Sequence, residues 1–450
     1  MWWLPESPEK QVSGSLTFSP DGGATVDLMG FLAKPVRERA RKFEVVLGVS
    51  SDGKDITLLD CLEFKGSLTS KLQTSSLYVS RSFVGTHFIK ADDVKFKKVS
   101  VRYTYLDEWV GISGFDIDIL SDVISVKYRQ PRPIETNING DYKLSIGFAY
   151  SGPTVTYLVQ KEASMKQRTW ITIESSQERC LDEYLDIIHR LQDFLTLAIS
   201  EPVYPLELEG ETESSKMELD GHTIYEPVKV CYRQSTVPAK EAGPLQLDML
   251  FNFKDFFDRF SSLISRWFSS FEELQSAMDL YFGSLYNPRT YLEHKFLSIV
   301  QALESYHRLK VRRNELPEQE HNNRLKNVMD AVQMQYKEWL EEKLRYSNEL
   351  TLRTRLKELL NAYPEIVSSA ADDKHEFVTK VVDTRNYLIH HDPESKSKAV
   401  DGERLSILAR RLRALLEACL MTELGFAKDE IRCLFQRNRR YADLLPIRLY

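Results

Sequence analysis

The stretch HEFVTKVVDTRNYLIHH, residues 375–391, decides how the C-terminal half of this 450-residue chain is expected to fold. On an α-helix of about 100° per residue, its apolar residues fall on one arc, which predicts an amphipathic helix packed against a core. That arc contains Phe377, Val378, Val381, Val382, Leu388 and Ile389. Because Pro393 disfavours helix in the residue before it, we expect the helix to end at His390 and His391.

The polar residues of the same helix form a second pattern. Asp383, Asn386 and His390 recur at positions i, i+3 and i+7, which places them on one stripe roughly opposite the apolar arc. Arg385 instead projects from within that arc, where a guanidinium needs a carboxylate or phosphate partner unless its stem reaches solvent. At the C-terminal end of a helix, the backbone dipole favours the protonated form of a histidine. By spacing alone, these residues fit either a functional site or a solvated helix end with an internal ion pair.

The helical pattern extends from about Leu247 to the end of the chain, which predicts a helical bundle. In the segment FLSIVQALESYHR, the residues Phe296, Val300, Leu303 and His307 form one stripe, and Glu304 flanks it. We expect His307 on this apolar face to be a core histidine with its hydrogen bonds satisfied. The predicted helical runs cover residues 251–268, 270–286, 291–311, 324–344, 375–391 and 402–425.

The N-terminal half carries the pattern of strands. Short runs rich in β-branched or aromatic residues are separated by clusters of Gly, Pro, Asp and Ser, which is typical of a sandwich or barrel. One helix, from about Glu178 to Ser200, interrupts them, and Ser235–Pro244 is predicted to be a linker. The predicted strands cover residues 12–18, 24–31, 43–50, 55–64, 76–83, 142–150, 155–161, 168–174, 203–210 and 223–233.

Composition and charge limit the classes of protein to which the chain can belong. A hydrophobic content of 42% and a charged content of 28% are ordinary globular values. The net charge of −6 argues against a coat of basic surface. The charge is uneven, because residues 1–245 carry 28 Lys and Arg against 35 Asp and Glu, whereas residues 246–450 carry 32 against 31. Any polyanionic partner is therefore expected to bind the C-terminal half.

The sequence also predicts where the protein works. No stretch is apolar over the length of a membrane span, so no membrane association is expected. The opening MWWLPESPEK lacks the basic start of a signal peptide. The cysteines are scattered without metal-type spacing, which is typical of reduced thiols in a cytoplasm. They are Cys61, Cys180, Cys231, Cys419 and Cys433.

The segment RNYLIH, residues 385–390, resembles the R-N-x-x-x-H form of the motif that defines the HEPN superfamily, whose helical bundles are mostly ribonucleases. The surrounding helices also fit, with FLSIVQALESYH before the motif and a long arginine-containing helix after it. The chain as a whole is similar to the ApeA-type anti-phage HEPN proteins, whose N-terminal module opens with a W-x-P and a V-x-G-x-L pattern. Those residues are here Trp3, Pro5, Val12, Gly14 and Leu16.

This resemblance implies a multidomain α+β protein. A β-rich, sandwich-like sensing or regulatory domain would occupy residues 1–240, and an all-α HEPN ribonuclease domain would occupy residues 246–450. The implied activity is metal-independent RNA cleavage, without a cofactor, by attack of the ribose 2′-OH on the adjacent phosphate. The products would carry 2′,3′-cyclic phosphate and 5′-OH ends, and the role in the cell would be abortive infection.

The resemblance places the catalytic roles on Arg385 and His390. A histidine near neutrality can remove or supply the protons, and the guanidinium can bind the phosphate and stabilise its developing charge. The two side chains lie about 140° apart around an ideal helix, so one chain's pair does not converge easily. Because HEPN domains typically dimerise, we expect a homodimer whose two helices share one site.

Four further residues are expected to support this site. Asn386 is the polar second position of the motif, and Asp383 lies on its stripe. His391 either assists His390 or faces solvent. Glu304 is a candidate carboxylate partner for Arg385, although a surface acid at the edge of a helix explains it equally well.

Two alternatives stay open at this stage. Asp60, Glu63 and Lys65 in DITLLDCLEFK have the D…E-x-K form of a magnesium-dependent nuclease, although charged residues that alternate along a strand, as Asp116 and Asp118 also do, usually form its solvent face. The second alternative is a non-catalytic module that binds RNA, a nucleotide or a phage protein with a degenerate HEPN bundle. By analogy with the family, the expected partners are RNA, with transfer RNA as a candidate, and a phage-derived trigger on the N-terminal domain.

Overall fold

The computed structural model describes residues 1–19, 23–34, 40–68, 73–138, 140–156, 161–219, 221–234, 243–364, 374–391, 393–442 and 444. The chain forms two compact units, Met1–Phe268 and Ser269–Tyr450, and the division falls within one helix. Of the predicted linker, only Gly243 and Pro244 belong to the described residues.

Strands dominate the first unit, as the alternation of its sequence predicts. They are β1 (Trp2–Leu4), β2 (Ser7–Val12), β3 (Gly14–Ser19), β4 (Gly23–Leu28), β5 (Arg41–Val49), β6 (Asp55–Leu68), β7 (Gln73–Val84), β8 (Lys95–Tyr103), β9 (Phe115–Ile119), β10 (Ile124–Tyr128), β11 (Ile134–Ile138), β12 (Tyr142–Thr156), β13 (Glu162–Cys180), β14 (Pro205–Glu211), β15 (Lys216–Leu219), β16 (His222–Tyr225) and β17 (Val228–Tyr232). The prediction of a β-rich N-terminal region is confirmed.

Within the described residues, thirteen of these strands form one antiparallel sheet. Its order is β11-β12-β13-β8-β14-β17-β7-β6-β5-β1-β2, and β4 also pairs with β7 and carries β3 on its other side. The remaining four strands form two separate ribbons, β9 with β10 and β15 with β16.

A helix covers one face of this sheet. It is α2 (Leu181–Ile199), close to the predicted span, and the hydroxyl groups of Tyr103 and Tyr184 join it to β8 by donating to the carbonyl oxygens of Ile188 and Phe96 at 2.8 and 3.0 Å. Because the predicted apolar stripe of this helix is buried throughout, its helical period was identified correctly. The buried residues of that stripe are Leu181, Leu185, Ile188, Leu191, Phe194 and Leu195.

An aromatic cluster ties the segment after the linker to the first unit. Trp109, on the short helix α1 (Leu106–Val110), donates its indole N–H to the carbonyl oxygen of Phe251 at 3.2 Å. Its ring packs edge-on against Phe194 at 5.8 Å and Phe253 at 5.6 Å. Core packing within the first unit therefore accounts for the dense aromatic residues that open the helical half of the sequence.

Helices make up the second unit. They are α3 (Phe260–Tyr286), which begins in the first unit, α4 (Leu292–Lys310), α5 (Glu318–Ala331), α6 (Met334–Leu344), α7 (Leu352–Ala362), α8 (Lys374–His390), α9 (Pro393–Lys396), α10 (Gly402–Leu424) and α11 (Lys428–Arg437). The prediction of a helical C-terminal region is confirmed. None of the described helices combines the length and apolar character that a membrane span requires.

Three of the predicted helical runs, 251–268, 270–286 and 324–344, are divided differently in the structure. The first half of the run predicted at 251–268 is a 3₁₀ segment, Phe253–Arg259. The second half of that run and the run predicted at 270–286 form one continuous helix, α3, because nothing between Phe268 and Phe271 interrupts it. The run predicted at 324–344 is two helices, α5 and α6, because the backbone is extended at Val332.

Candidate functional site

The motif helix α8 runs antiparallel to α7 and also packs against α4. Two hydrogen bonds fix its alignment with α7: Arg353 donates to the hydroxyl oxygen of Thr379 at 2.7 Å, and Lys374 donates to the amide oxygen of Asn361 at 3.4 Å. Arg353 is the second residue of α7, so the last turns of α8 extend beyond the N-terminal end of α7.

This alignment corrects the predicted core-facing arc of α8. Phe377, Val378 and Val381 are buried as predicted, but Val382 and Leu388 are only half-buried. The prediction that Ile389 faces the core is wrong, since its side chain is 45% exposed. The physical reason is that Ile389 lies about 15 Å further along the helix axis than Thr379, at 1.5 Å per residue, where α7 no longer accompanies it.

The arginine of the motif is held by its neighbour in the sequence. Arg385 is half-buried and donates from Nη1 to Oδ1 of Asn386 at 3.1 Å. No carboxylate of the described residues pairs with this guanidinium, whose remaining N–H groups stay available for an anionic ligand. Among the described residues, the guanidinium is therefore held by Asn386 and not by an ion pair.

The two histidines of the motif differ in their backbone roles. His390 is the last residue of α8, and its side chain is exposed. His391 follows in the left-handed conformation at φ +52°, and its backbone N–H donates to the carbonyl oxygen of Tyr387 at 2.7 Å. Its ring lies edge-on to that of Tyr387 at 5.9 Å. His391 therefore caps the helix, while His390 presents its imidazole to solvent.

A buried threonine connects the motif helix to the chain that follows it. Thr384 is fully buried, and its hydroxyl oxygen accepts a hydrogen bond from the backbone N–H of Val400 at 3.1 Å. The sequence pattern did not single out Thr384, although its position one turn after Val381 on the apolar side of the helix was the available signal. Asp383 beside it is half-buried, and Asp392 lies outside the described residues.

The candidate partner of Arg385 is engaged elsewhere within the chain. Glu304 lies 3.6 Å from Arg308 on the same helix, and Arg308 in turn lies 2.8 Å from Glu349. Within the described chain, Glu304 therefore forms its ion pair with Arg308 and not with Arg385.

The prediction for His307 is confirmed, because it is a buried histidine with both ring nitrogens in hydrogen bonds. Nε2 lies 2.8 Å from the carboxylate of Glu358, and Nδ1 lies 3.2 Å from Nη1 of Arg355, which is itself buried. Because an arginine can only donate, Nδ1 accepts and Nε2 carries the proton that is given to Glu358. The predicted stripe of Phe296, Val300 and Leu303 is buried beside it.

This arrangement predicts a pH dependence of stability. Burial lowers the pKa of His307 below its usual value of 6.5, although the Glu358 carboxylate opposes the shift. The unfolded chain therefore binds a proton at a higher pH than the folded protein. The stabilising contribution of neutral His307 to the free energy of unfolding is complete above about pH 6.5. It is lost as the pH falls from there through the lowered pKa of His307 in the folded state.

We expect the thermal midpoint of the wild type to fall more between pH 7.5 and pH 5.5 than that of His307→Gln, which cannot titrate. Leu303→Val supplies a control that loses core packing but keeps the histidine, and it should retain the wild-type pH dependence. Equal pH dependence of the wild type and His307→Gln in calorimetry would contradict this assignment.

The competing D…E-x-K set lies on the surface of β6. Asp60 is exposed and forms an ion pair with Lys42 at 3.0 Å, Glu63 is half-buried, and Lys65 is exposed. Across the part of the chain that the structure describes, no three His, Cys, Asp or Glu side chains are grouped so that they could share a metal ion. Asp116 and Asp118 on β9 are exposed, in line with the expectation of a solvent face.

The end of α8 therefore brings together an arginine that pairs with no carboxylate among the described residues, an amide that holds it, and an accessible imidazole. Such a set can bind a phosphate and exchange protons with groups on it. It is also the part of the chain that carries the motif of the HEPN superfamily.

Comparison with known proteins identifies the family of the chain. Residues 1–267 match the family described as ApeA N-terminal domain 1, and residues 297–430 match the family described as Apea-like HEPN. No curated protein and no solved structure matches the chain. The first match lies within the first unit, and the second match lies within the second unit and contains the whole of α8. The chain therefore belongs to the ApeA-like HEPN proteins, a nuclease-type family of anti-phage defence.

Proposed function

We propose that this protein is a metal-independent endoribonuclease in which Arg385 and His390 carry out the cleavage. The observation that carries the proposal is the surface presented by the end of α8, where Arg385 is held by Asn386 at 3.1 Å and His390 is exposed, in a chain of this family. The substrate is RNA, because the chemistry uses the 2′-OH that DNA lacks.

In the proposed reaction, the ribose 2′-oxygen attacks the adjacent phosphorus while its proton is removed, and the bond from phosphorus to the 5′-oxygen breaks as that oxygen gains a proton. His390 supports these proton transfers, and Arg385 binds the non-bridging phosphate oxygens as their negative charge increases. The products are a 2′,3′-cyclic phosphate and a 5′-OH, and no cofactor takes part. Asn386 holds the guanidinium, and His391 ends the helix so that His390 stays accessible.

We further propose that the site is shared between two chains. The two catalytic side chains diverge by about 140° around α8, so that a single phosphate is difficult to reach with both from one helix. Ile389, which lies between Arg385 and His390 in the sequence, is 45% exposed in one chain, and this is the surface that a two-fold partner would cover. Arg385 of one chain would then act with His390 of the other.

A mixture of two inactive variants tests the shared site. We expect each of the variants Arg385→Ala and His390→Ala to lack activity alone. When the two variants are mixed and their dimers exchange subunits, each heterodimer contains one intact Arg–His pair. Random assortment makes half of the dimers mixed, each with one of two sites intact, so the expected activity of an equimolar mixture is about one quarter of the wild-type value. The measurement is cleavage of a fluorescent RNA after co-refolding or co-expression.

The two variants carry different tags, so that a pull-down shows whether heterodimers have formed. If heterodimers are present and the activity of the mixture is no greater than that of the separate variants, the shared site is contradicted. The matched control mixes Arg385→Ala with the double variant Arg385→Ala/His390→Ala, which contains no intact pair in any combination.

For the whole protein, we propose that the domain predicted at 1–240 senses a phage-derived trigger and restrains the HEPN domain predicted at 246–450. Uncontrolled RNA cleavage would be toxic to the cell, which makes such control necessary. Transfer RNA in the cytoplasm is the proposed target, and its cleavage would stop growth and phage production together.

A further inference from the structure

Two segments near the end of the chain concentrate arginine. Residues 404–416, on α10, contain four arginines and no acidic residue, and residues 431–442 contain another four arginines and again no acidic residue. Neither segment contains a lysine. Because the chain as a whole has a net charge of −6, the average over the sequence conceals this local positive charge.

The fold places the two segments side by side. Nη2 of Arg410 on α10 donates to the carbonyl oxygen of Arg440, which follows α11, at 2.6 Å. Two turns later on α10, the buried carboxylate of Glu417 accepts a hydrogen bond from the hydroxyl of Tyr441. The chain after α11 therefore lies against α10. We use the term arginine cluster for five residues of these segments, which are Arg404, Arg410, Arg411, Arg439 and Arg440.

The arginine cluster reaches solvent. The side chains of Arg404 and Arg439 are exposed, and those of the other three members are half-buried. Arg404 and Arg411 lie seven residues apart, so they project from the same side of α10. Arg413 is not a member, because the buried Glu417 accepts its Nε–H at 2.7 Å. Like charges on one surface repel each other, and a concentration of this kind is typical of a surface that binds a polyanion.

The arginine cluster begins close to the motif helix. The backbone N–H of Val400 donates to the hydroxyl oxygen of Thr384 at 3.1 Å, and Thr384 is the residue before Arg385. Arg404 follows Val400 by four residues, so their Cα atoms are at most about 14 Å apart. An RNA strand with one phosphate at Arg385 therefore has other phosphates within reach of Arg404.

RNA binding requires a local positive surface on a chain of negative net charge, because the phosphate backbone supplies most of the affinity. The N-terminal half does not supply that charge, since residues 1–245 carry 28 Lys and Arg against 35 Asp and Glu. Residues 318–346, which contain α5 and α6, carry five Lys and Arg against six Asp and Glu. The arginine cluster has the required charge and lies in the same unit as the motif.

We propose that the arginine cluster binds the phosphate backbone of the RNA strand that flanks the cleaved bond. The identity of the ligand rests on the proposed function. The planar guanidinium matches the geometry of a phosphate and can bind it with two parallel hydrogen bonds, which favours arginine over lysine here. A helix that binds an anionic membrane would also present a row of apolar side chains, whereas Ile407 is the one large apolar residue that α10 exposes.

The salt dependence of RNA binding tests this proposal. The probe is a fluorescein-labelled single-stranded RNA of about 20 nucleotides, longer than the usual site for a single strand. It is bound by the full chain in a His390→Ala background, so that no cleavage occurs. Each phosphate contact contributes about 0.7 to the slope of log affinity against log salt for a single strand. Arg404→Gln/Arg439→Gln should therefore reduce the slope by about 1.4, so that raising salt from about 50 to 200 mM weakens its binding about sevenfold less than that of the parent chain.

Two variants control for charge and for folding. Lys343→Gln/Arg345→Gln removes the same charge from exposed positions at the end of α6 and should keep the slope of the parent chain. Arg404→Lys/Arg439→Lys keeps the charge of the cluster and should also keep the slope. An unchanged slope in Arg404→Gln/Arg439→Gln, or an equal reduction in the α6 variant, would overturn the proposal. Phosphatidylserine vesicles that lose binding to Arg404→Gln/Arg439→Gln while the RNA slope is unchanged would assign the cluster to a membrane surface instead.

Cleavage kinetics separate this inference from the proposed reaction. Because the arginine cluster binds phosphates away from the cleaved bond, Arg404→Gln/Arg439→Gln with an intact His390 should raise KM for RNA at least about fivefold and leave kcat within about twofold. A fall in kcat with an unchanged KM would overturn the proposal. A wild type that binds RNA with the expected slope but does not cleave it would refute the proposed reaction and leave the binding surface in place.

Discussion

Replacing His390 with alanine is expected to slow RNA cleavage by roughly 10²–10⁴-fold, the range that a positioned general acid or base contributes. The side chain is exposed at the end of α8, so the substitution removes the imidazole without disturbing a core. Arg385→Ala should cost roughly 10²–10³-fold, because the phosphate loses the donors that stabilise its developing charge. Initial rates on a labelled RNA, with folding checked by circular dichroism, measure both effects.

His391→Asn is the matched control for this prediction. Asparagine tolerates the left-handed conformation at φ +52°, so that the cap on the carbonyl oxygen of Tyr387 is kept while the second imidazole is lost. We expect it to retain activity within about tenfold of the wild type, well short of the effect of a lost catalytic acid or base. If His391→Asn were as inactive as His390→Ala, the assignment of the catalytic histidine would be wrong.

Glu417→Leu is expected to cause the largest loss of stability in the helical unit. Glu417 is fully buried on α10, where its carboxylate accepts hydrogen bonds from the hydroxyl of Tyr281 at 2.6 Å, from Nε of Arg413 at 2.7 Å and from the hydroxyl of Tyr441. Burial and the adjacent carboxylate raise the pKa of Tyr281 well above its usual range, so its hydroxyl stays a donor. Leucine would remove the buried acceptor that these three donors share.

The expected cost is about 3 kcal/mol of unfolding free energy, at the lower end of the range for breaking a buried pair, because Arg413 is 23% exposed and keeps some access to water. In a unit of this size the thermal midpoint should fall by about 10 °C. Glu417→Gln keeps an acceptor of the same shape and should lose less. The exposed Glu403 on the same helix supplies the control, since Glu403→Leu should change stability by no more than about 1 kcal/mol. A Glu417→Leu protein as stable as the wild type would contradict the buried network.

The motif helix shows how far local sequence patterns lead. The burial of Phe377, Val378 and Val381 follows from the helical period. The exposure of Ile389 does not follow from it, because that exposure depends on where α7 begins. The ion pair of Glu304 is local, because Arg308 lies four residues later on the same helix, whereas the packing of α4 and α8 determines whether Arg385 could reach Glu304. Periodicity identifies the face of a helix, but only the tertiary structure determines how much of that face has a neighbour.

The first unit carries the same lesson for strands. β8 was not among the predicted strands because Lys95, Lys97 and Lys98 lower its strand propensity, yet it lies between β13 and β14 with Val99 and Val101 fully buried. One of its lysines, Lys98, is paired with Glu211 at 2.7 Å, a partner more than a hundred residues away in the chain. Such distant pairing offsets an unfavourable local preference and leaves no mark in the local sequence.

The most direct measurement is RNA cleavage by the purified wild type, Arg385→Ala and His390→Ala in EDTA, with the chemistry of the product ends identified. The account predicts that only the wild type cleaves, that EDTA does not reduce its rate, and that the products carry 2′,3′-cyclic phosphate and 5′-OH ends. Cleavage that disappears in EDTA but persists in both variants would contradict it and would move the active site to Asp60, Glu63 and Lys65. RNA that is bound but not cleaved by the wild type, in the presence of its trigger, would make the protein a binding module.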